Sequence, residues 1–126
     1  MLKNAEIVPY IPVADLARAR TFYEKKLGLQ AKEECGSQAV IYECGKGTWF
    51  FMYKSPGAGT SKASTAFWAV ADVEAEVAEL KARGVVFEEY DMPGIKMVNS
   101  IATGGGAKTA WFKDSEGNIL AVSQRI

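Results

Sequence analysis

Two kinds of hydrophobic rhythm alternate along this chain. Short apolar runs of strand length are followed by stretches in which apolar residues recur every three or four positions. The first run, Ile7 to Val13, leads into a helical pattern with Leu16, Ala19, Phe22, Tyr23 and Leu27 on one stripe. The second, Ala66 to Val70, leads into another with Val73, Val77 and Leu80. Asp15 and Asp72 suit the N-cap, where a carboxylate accepts from the free N–H groups of the first turn. Gly28 and Gly84 stand where each helix should stop. Further strands are predicted at Leu29–Cys35, Ala39–Glu43 and Thr48–Lys54, then at Val85–Tyr90, Met97–Thr103, Thr109–Lys113 and Ile119–Gln124.

The two series are copies of one plan. Val13-Ala14-Asp15-Leu16 returns as Val70-Ala71-Asp72-Val73, 57 positions later, with a strand before it and a helix after it each time. Each half reads as a strand, a helix and then strands, three in the first half and, with the longer excursion before its last hairpin, four candidates in the second, which makes the fold class α+β. The expected boundaries are residues 5–54 for the first module and 64–125 for the second, within a single domain covering residues 1–126. Between them, residues 55–63 are rich in glycine and serine and read as a polar, flexible linker. Pro9 and Pro12 require that the first strand be an edge or carry a bulge, because proline donates nothing to a ladder. The glycine-rich excursion from Asp91 to Ala107 reads equally as a flap over a pocket or as a plain solvent loop.

Composition narrows the function classes. Apolar residues make up 48% and charged residues 24%, as in a folded globular protein. Basic and acidic residues balance at 15 each, so there is no cationic field for nucleic acid. No apolar run reaches the ~20 residues of a membrane span. The first residues lack the apolar core of a signal peptide, and a cytoplasmic location is expected. The two cysteines, Cys35 and Cys44, either meet across a hairpin or stay free; a reducing compartment favours free thiols. The chain has no histidine, which removes Cys–His and Ser–His–Asp mechanisms. Gly104-Gly105-Gly106 before Lys108 lacks the spacing of a phosphate loop and reads as a turn or flap.

The Val-x-Asp-Leu step, the helix carrying Phe22-Tyr23 and Leu27-Gly28, and the closing Trp111-Phe112-Lys113-Asp114-Ser115-Glu116-Gly117-Asn118 together resemble the vicinal oxygen chelate superfamily. That group includes glyoxalases, bleomycin-resistance proteins, fosfomycin-resistance enzymes and extradiol dioxygenases. The resemblance spans roughly residues 6 to 124. It implies two βαβββ modules forming an open, curled mixed sheet around a central cleft, and commonly a homodimer.

The resemblance also implies where a divalent metal would be held. The four corresponding positions here are Val8, Phe51, Thr65 and Ala121. Three carry no donor atom and the fourth only a hydroxyl, whereas a catalytic site needs about three donors from His, Asp, Glu or Cys. No cofactor is therefore expected. Glu43, Glu88, Glu89 and Asp91 either gather into a different metal site or lie on a solvated surface.

The aromatic residues carry the remaining signal. Trp49, Phe51 and Tyr53 alternate along one strand and share a face, and Trp68 and Trp111 sit on other inner strands. With Val8, Thr65 and Ala121 they make up the expected ligand-binding cleft; the bland alternative is that the rings fill the core. Three functions stand open. The favoured one is a metal-independent binding protein for an aromatic or antibiotic-like small molecule. The others are a glyoxalase- or dioxygenase-type enzyme with a non-standard site, and a structural or regulatory subunit.

Overall fold

The computed structural model describes residues 1–91 and 93–126. Strand β1 (Tyr10–Val13) leads into helix α1 (Leu16–Thr21), which continues through a π-helical turn over Phe22–Lys26. The Asp15 carboxylate caps α1 by accepting from the Arg18 N–H at 3.0 Å. Strands β2 (Gln30–Cys35), β3 (Ala39–Glu43) and β4 (Trp49–Lys54) complete a four-stranded sheet in the order β1-β4-β3-β2. The plan then repeats. Strand β5 (Ser64–Ala69) precedes helix α2 (Val73–Ala82), capped by Asp72 accepting from the Ala75 N–H at 3.1 Å. Strands β6 (Lys96–Val98), β7 (Ile101–Gly104), β8 (Ala107–Lys113) and β9 (Ile119–Arg125) follow. They form a five-stranded sheet in the order β5-β9-β8-β7-β6. In both sheets the first strand runs parallel to the last and the other pairings are antiparallel. The fold is thus α+β with two mixed, open sheets.

The helix stripes read from the sequence are the buried ones: Ala19, Phe22 and Tyr23 in the first helix, Val73, Val77 and Leu80 in the second. They meet the inward faces of both sheets in one core. Tyr23 stacks near Tyr42 at 6.0 Å between ring centroids and near Phe50 at 5.8 Å. Phe22 of the first helix meets Phe112 of the second sheet at 6.4 Å. Each fully buried ring or branched aliphatic side chain contributes about 1.5–3 kcal/mol relative to exposure.

Two prolines find the edge they require. β1 pairs only with β4, and the Pro9 carbonyl accepts from the Phe51 N–H at 3.0 Å. The ladder starts at Tyr10, three residues later than the apolar run suggests.

Three expectations are corrected. Val85–Tyr90 is not a strand: its contact with the sheet is an isolated bridge, Phe87 to Phe112, beside which the Glu88 N–H donates to the Trp111 carbonyl. The expected strand Met97–Thr103 is instead a hairpin, β6–β7, turning at Asn99 and Ser100 with φ of 53° and 70°. That turn has the left-handed backbone of a type I′ loop. From Lys96 onward the Asp91–Ala107 excursion is therefore sheet and tight turn, with Met92 outside the described residues; Gly105 and Gly106 are its second tight turn, at φ 62° and 79°.

The stretch read as a flexible linker also docks. The Gly59 N–H donates to Asn118 Oδ1 at 3.2 Å, and a Cβ at Gly59 would lie 2.3 Å from the Glu116 carbonyl oxygen. With φ at +72°, Gly59→Ala adds left-handed strain to that clash. A loss of about 2–3 kcal/mol in urea unfolding is expected; Gly57→Ala, with only Ser55 Oγ at 3.5 Å from the added carbon, is the matched control with a loss near zero.

Candidate functional site

Alternation along β4 decides which aromatic rings are available. Phe50 and Met52 point into the core, so Trp49, Phe51 and Tyr53 project from the opposite face. The parallel register sets Tyr10 beside Phe51 and Pro12 beside Tyr53. Tyr10 accordingly meets Phe51 edge-on at 5.6 Å and Tyr53 at 5.1 Å, and it remains 65% exposed. On the second sheet, Phe67, Ala121 and Trp111 lie in register on the face opposite core residues Leu120 and Val122. Tyr90 packs edge-on against Trp111 at 5.7 Å.

A cavity of about 760 Å³ opens between β1 and β5, the edge strands of the two sheets. Its walls are Pro9 and Ile11, the Cys44–Thr48 turn with Trp49 and Phe50, and β5 from Ala66 to Ala69. The wall is mostly apolar and includes two indoles, while Glu6 and Lys46 put one charge of each sign on its lining.

Of the eight expected cleft residues, Trp49 and Trp68 line this cavity. Phe51 and Tyr53 lie farther along the same strand face. Trp111 and Ala121 share the corresponding face of the second sheet, with Ala121 buried. Val8 adjoins the lining residues Ile7 and Pro9, and Thr65 is the extra residue of a bulge between Ser64 and Ala66. Trp68 is not on the same kind of face as Trp49. It sits on the core side, edge-on to Phe50 at 6.3 Å, and reaches the cavity because the opening lies between two sheet edges. Phe67, 65% exposed, takes the outward position instead. The sequence around β5 is apolar on both faces, so its period of two gives no direction. Tyr10 is an aromatic of this face that the expected cleft lacks, although Ile11 and Val13, both buried, imply that their neighbour faces out.

The residues at the implied metal positions do not fit a divalent ion. Val8, Phe51 and Ala121 have no side-chain donors, and Thr65 has one hydroxyl. Nor do the alternative carboxylates gather: Glu43 pairs with Lys32 at 2.8 Å, Glu88 with Lys113 at 3.6 Å, and Glu89 accepts from Ser100 Oγ at 3.0 Å. Among the described residues no group of three His, Cys, Asp or Glu side chains is placed to hold a metal. Both cysteines are free, at opposite ends of the β2–β3 hairpin. Burial and then the Glu33 carboxylate push the Cys35 thiol up, the reverse of an activated nucleophile.

The fold and this open, aromatic-walled arrangement define a class. Residues 5–122 match the Glyoxalase/Bleomycin resistance protein/Dioxygenase superfamily, and the chain belongs to it. Comparison with curated proteins by sequence finds no match. Among solved structures, the chain is similar to TnmS3, an antibiotic-binding protein from Streptomyces sp. CB03234, with a TM-score of 0.73, 20% identity and 98% of each chain covered. It is also similar to the bleomycin resistance determinant encoded on the transposon Tn5, with a TM-score of 0.72, 19% identity, and 97% and 98% covered. The fosfomycin resistance protein FosX of Listeria monocytogenes gives 0.71, 12%, and 98% and 92%. At these identities the likeness is one of fold. Among the described residues no helix is long and apolar enough to cross a membrane.

Proposed function

We propose that this protein is a metal-independent binding protein for a planar, largely apolar small molecule of antibiotic-like size. The observation that carries the reading is the 760 Å³ cavity with the Trp49 and Trp68 indoles in its wall. Aromatic walls with few polar groups recognise flat apolar ligands by stacking and by area removed from water. The non-ligating residues at Val8, Phe51, Thr65 and Ala121 support binding without a metal. The structural likeness to the antibiotic-binding protein TnmS3 and to a bleomycin resistance determinant agrees with the ligand class. Tyr10 and Phe67, each 65% exposed, together with Phe51, Tyr53 and Trp111, form apolar faces that a second copy would cover, which supports a homodimer in which the expected cleft is completed.

The test is thermal unfolding against a panel of planar antibiotics and aromatic metabolites, with indole fluorescence as a second readout. A ligand at a hundred times its Kd should stabilise by about 2.7 kcal/mol. Trp49→Ala should then weaken binding about tenfold to a hundredfold, as removal of a central aromatic anchor does. If no compound shifts the melting temperature, or if purified protein carries stoichiometric zinc, nickel, manganese or iron, this reading fails.

A further inference from the structure

Behind Trp68, on the helix side of the molecule, lies a second and smaller cavity of about 180 Å³. Leu27 and Leu29, which follow the first helix, form one wall; Leu80 of α2 forms another, and Phe112 lies across the core. Trp68 is the one residue that this cavity shares with the larger one. The only ionisable group in its lining is Glu76, on α2.

Glu76 differs from its neighbours. Glu74 is paired with Lys108 at 2.9 Å and Glu79 with Arg83 at 3.1 Å. Half-buried Glu76 has no ion pair among the described residues. The Lys26 ammonium, one residue before the lining residue Leu27, is engaged with the Gly84 carbonyl at 3.3 Å and lies over the Phe22 ring. A carboxylate half removed from water beside apolar walls gains most from a cation whose body is itself apolar. The volume sets the size of that body: an apolar cavity of roughly 150 Å³ accommodates benzene.

We propose that this cavity is a second ligand site, taking a small primary amine that carries one aromatic ring. The ring lies against Trp68, Leu27 and Leu29, the half-buried members of the lining, and the ammonium donates to Glu76. No covalent step is involved, and the site is independent of the larger cavity apart from their common indole wall.

The experiment is an NMR titration of the full-length protein with benzylamine, and with benzyl alcohol as its neutral counterpart. Benzylamine should produce saturable shifts at the amides of residues 27–29, 68–70 and 76–80. Glu76→Gln should weaken benzylamine about tenfold, the size of one partly exposed charge-assisted hydrogen bond, and leave benzyl alcohol unchanged. Leu29→Trp, which fills the space from its half-buried rim, should abolish the shifts from both compounds in a protein whose spectrum remains dispersed. The proposal is overturned if no saturable shifts appear at these amides. It is equally overturned if they are confined to the surroundings of Trp49, or if Glu76→Gln leaves benzylamine affinity unchanged. Because only Trp68 is common to the two cavities, failure here leaves the aromatic-ligand reading of the larger one standing.

Discussion

Asp114→Ala should destabilise the protein by about 4 kcal/mol, the cost of breaking a buried, multiply hydrogen-bonded charge. Asp114 begins the turn between β8 and β9 and is only 6% exposed. One of its oxygens accepts from the backbone N–H groups of Glu116 and Asn118, each at 2.9 Å. The other accepts from Asn118 Nδ2 at 2.9 Å and from the Tyr23 hydroxyl at 2.5 Å. Tyr23 belongs to the first module's helix and is fully buried; burial first, and then the Asp114 carboxylate, hold its phenol protonated far above the ordinary range. Removing the carboxylate strands four donors at once, each of which costs about 1–3 kcal/mol when left without a partner in the interior, less what relaxation and entering water recover. Urea unfolding should show the midpoint falling with the slope unchanged. Tyr23→Phe, which strands no donor, should cost only about 1 kcal/mol. A loss below that for Asp114→Ala would mean that water replaces the carboxylate and that the turn does not tie the sheets together.

That network also shows which parts of the molecule the sequence makes legible. The Asp-x-x-Gly-Asn turn is visible as a motif and so is the helix carrying Tyr23, but nothing local says that the two touch. Local chemistry marks the helices plainly, because an aspartate cap and a terminal glycine act within one turn of themselves. It marks β3 and β4 well, since Phe50 and Met52 are buried while Trp49, Phe51 and Tyr53 are not. It misleads at Val85–Tyr90 for a physical reason. Val85 and Phe87 are buried and Val86 is 77% exposed, so the in–out alternation is genuine. A ladder needs a run of free edge, however, and β7 already occupies β8 from Ala107 to Thr109; beyond it the segment makes one bridge, at Phe112. The β6–β7 hairpin is hidden because Asn99-Ser100 turns through positive φ without the glycine that usually announces it.

The cavity is legible only in its materials. Alternation along β4 puts Trp49 on an outward face, yet the opening forms between β1 and β5, and no pattern within either strand specifies how two sheet edges approach. The anchoring contacts lie elsewhere. Asn118 Nδ2 donates to the Pro12 carbonyl at 2.7 Å, and Gly59 abuts the Glu116–Gly117 backbone. The first of these long-range contacts holds the second sheet's β8–β9 turn at the end of β1, and the second holds it against the segment between the modules.

Glu116 makes that junction depend on pH. Its side chain is fully buried, and Arg18 donates to both carboxylate oxygens, from Nε at 2.8 Å and from Nη2 at 2.9 Å. The Arg18 hydrogen bond is the largest influence on its acidity; burial opposes it, and the Asp15 and Ala14 N–H groups and the Ser115 hydroxyl reinforce it. Together they lower the carboxyl from 4.5 to about 2. A depressed folded-state value means that the unfolded chain takes up the proton first as pH falls. The stabilisation is therefore complete above the unfolded value near 4.5, declines as pH drops below it, and is gone once the folded value near 2 is passed. Its full size is on the order of 3 kcal/mol, because each tenfold change in acidity corresponds to about 1.4 kcal/mol. Glu116→Gln should accordingly be less stable than the parent by about 2–3 kcal/mol at pH 7, with the gap closing progressively between about pH 4.5 and pH 2. Urea midpoints measured across that range check both the size and the direction. A gap that stays constant with pH would show that shape and hydrogen bonding at this position, and not the charge held between Arg18 and the start of α1, fasten the two sheets.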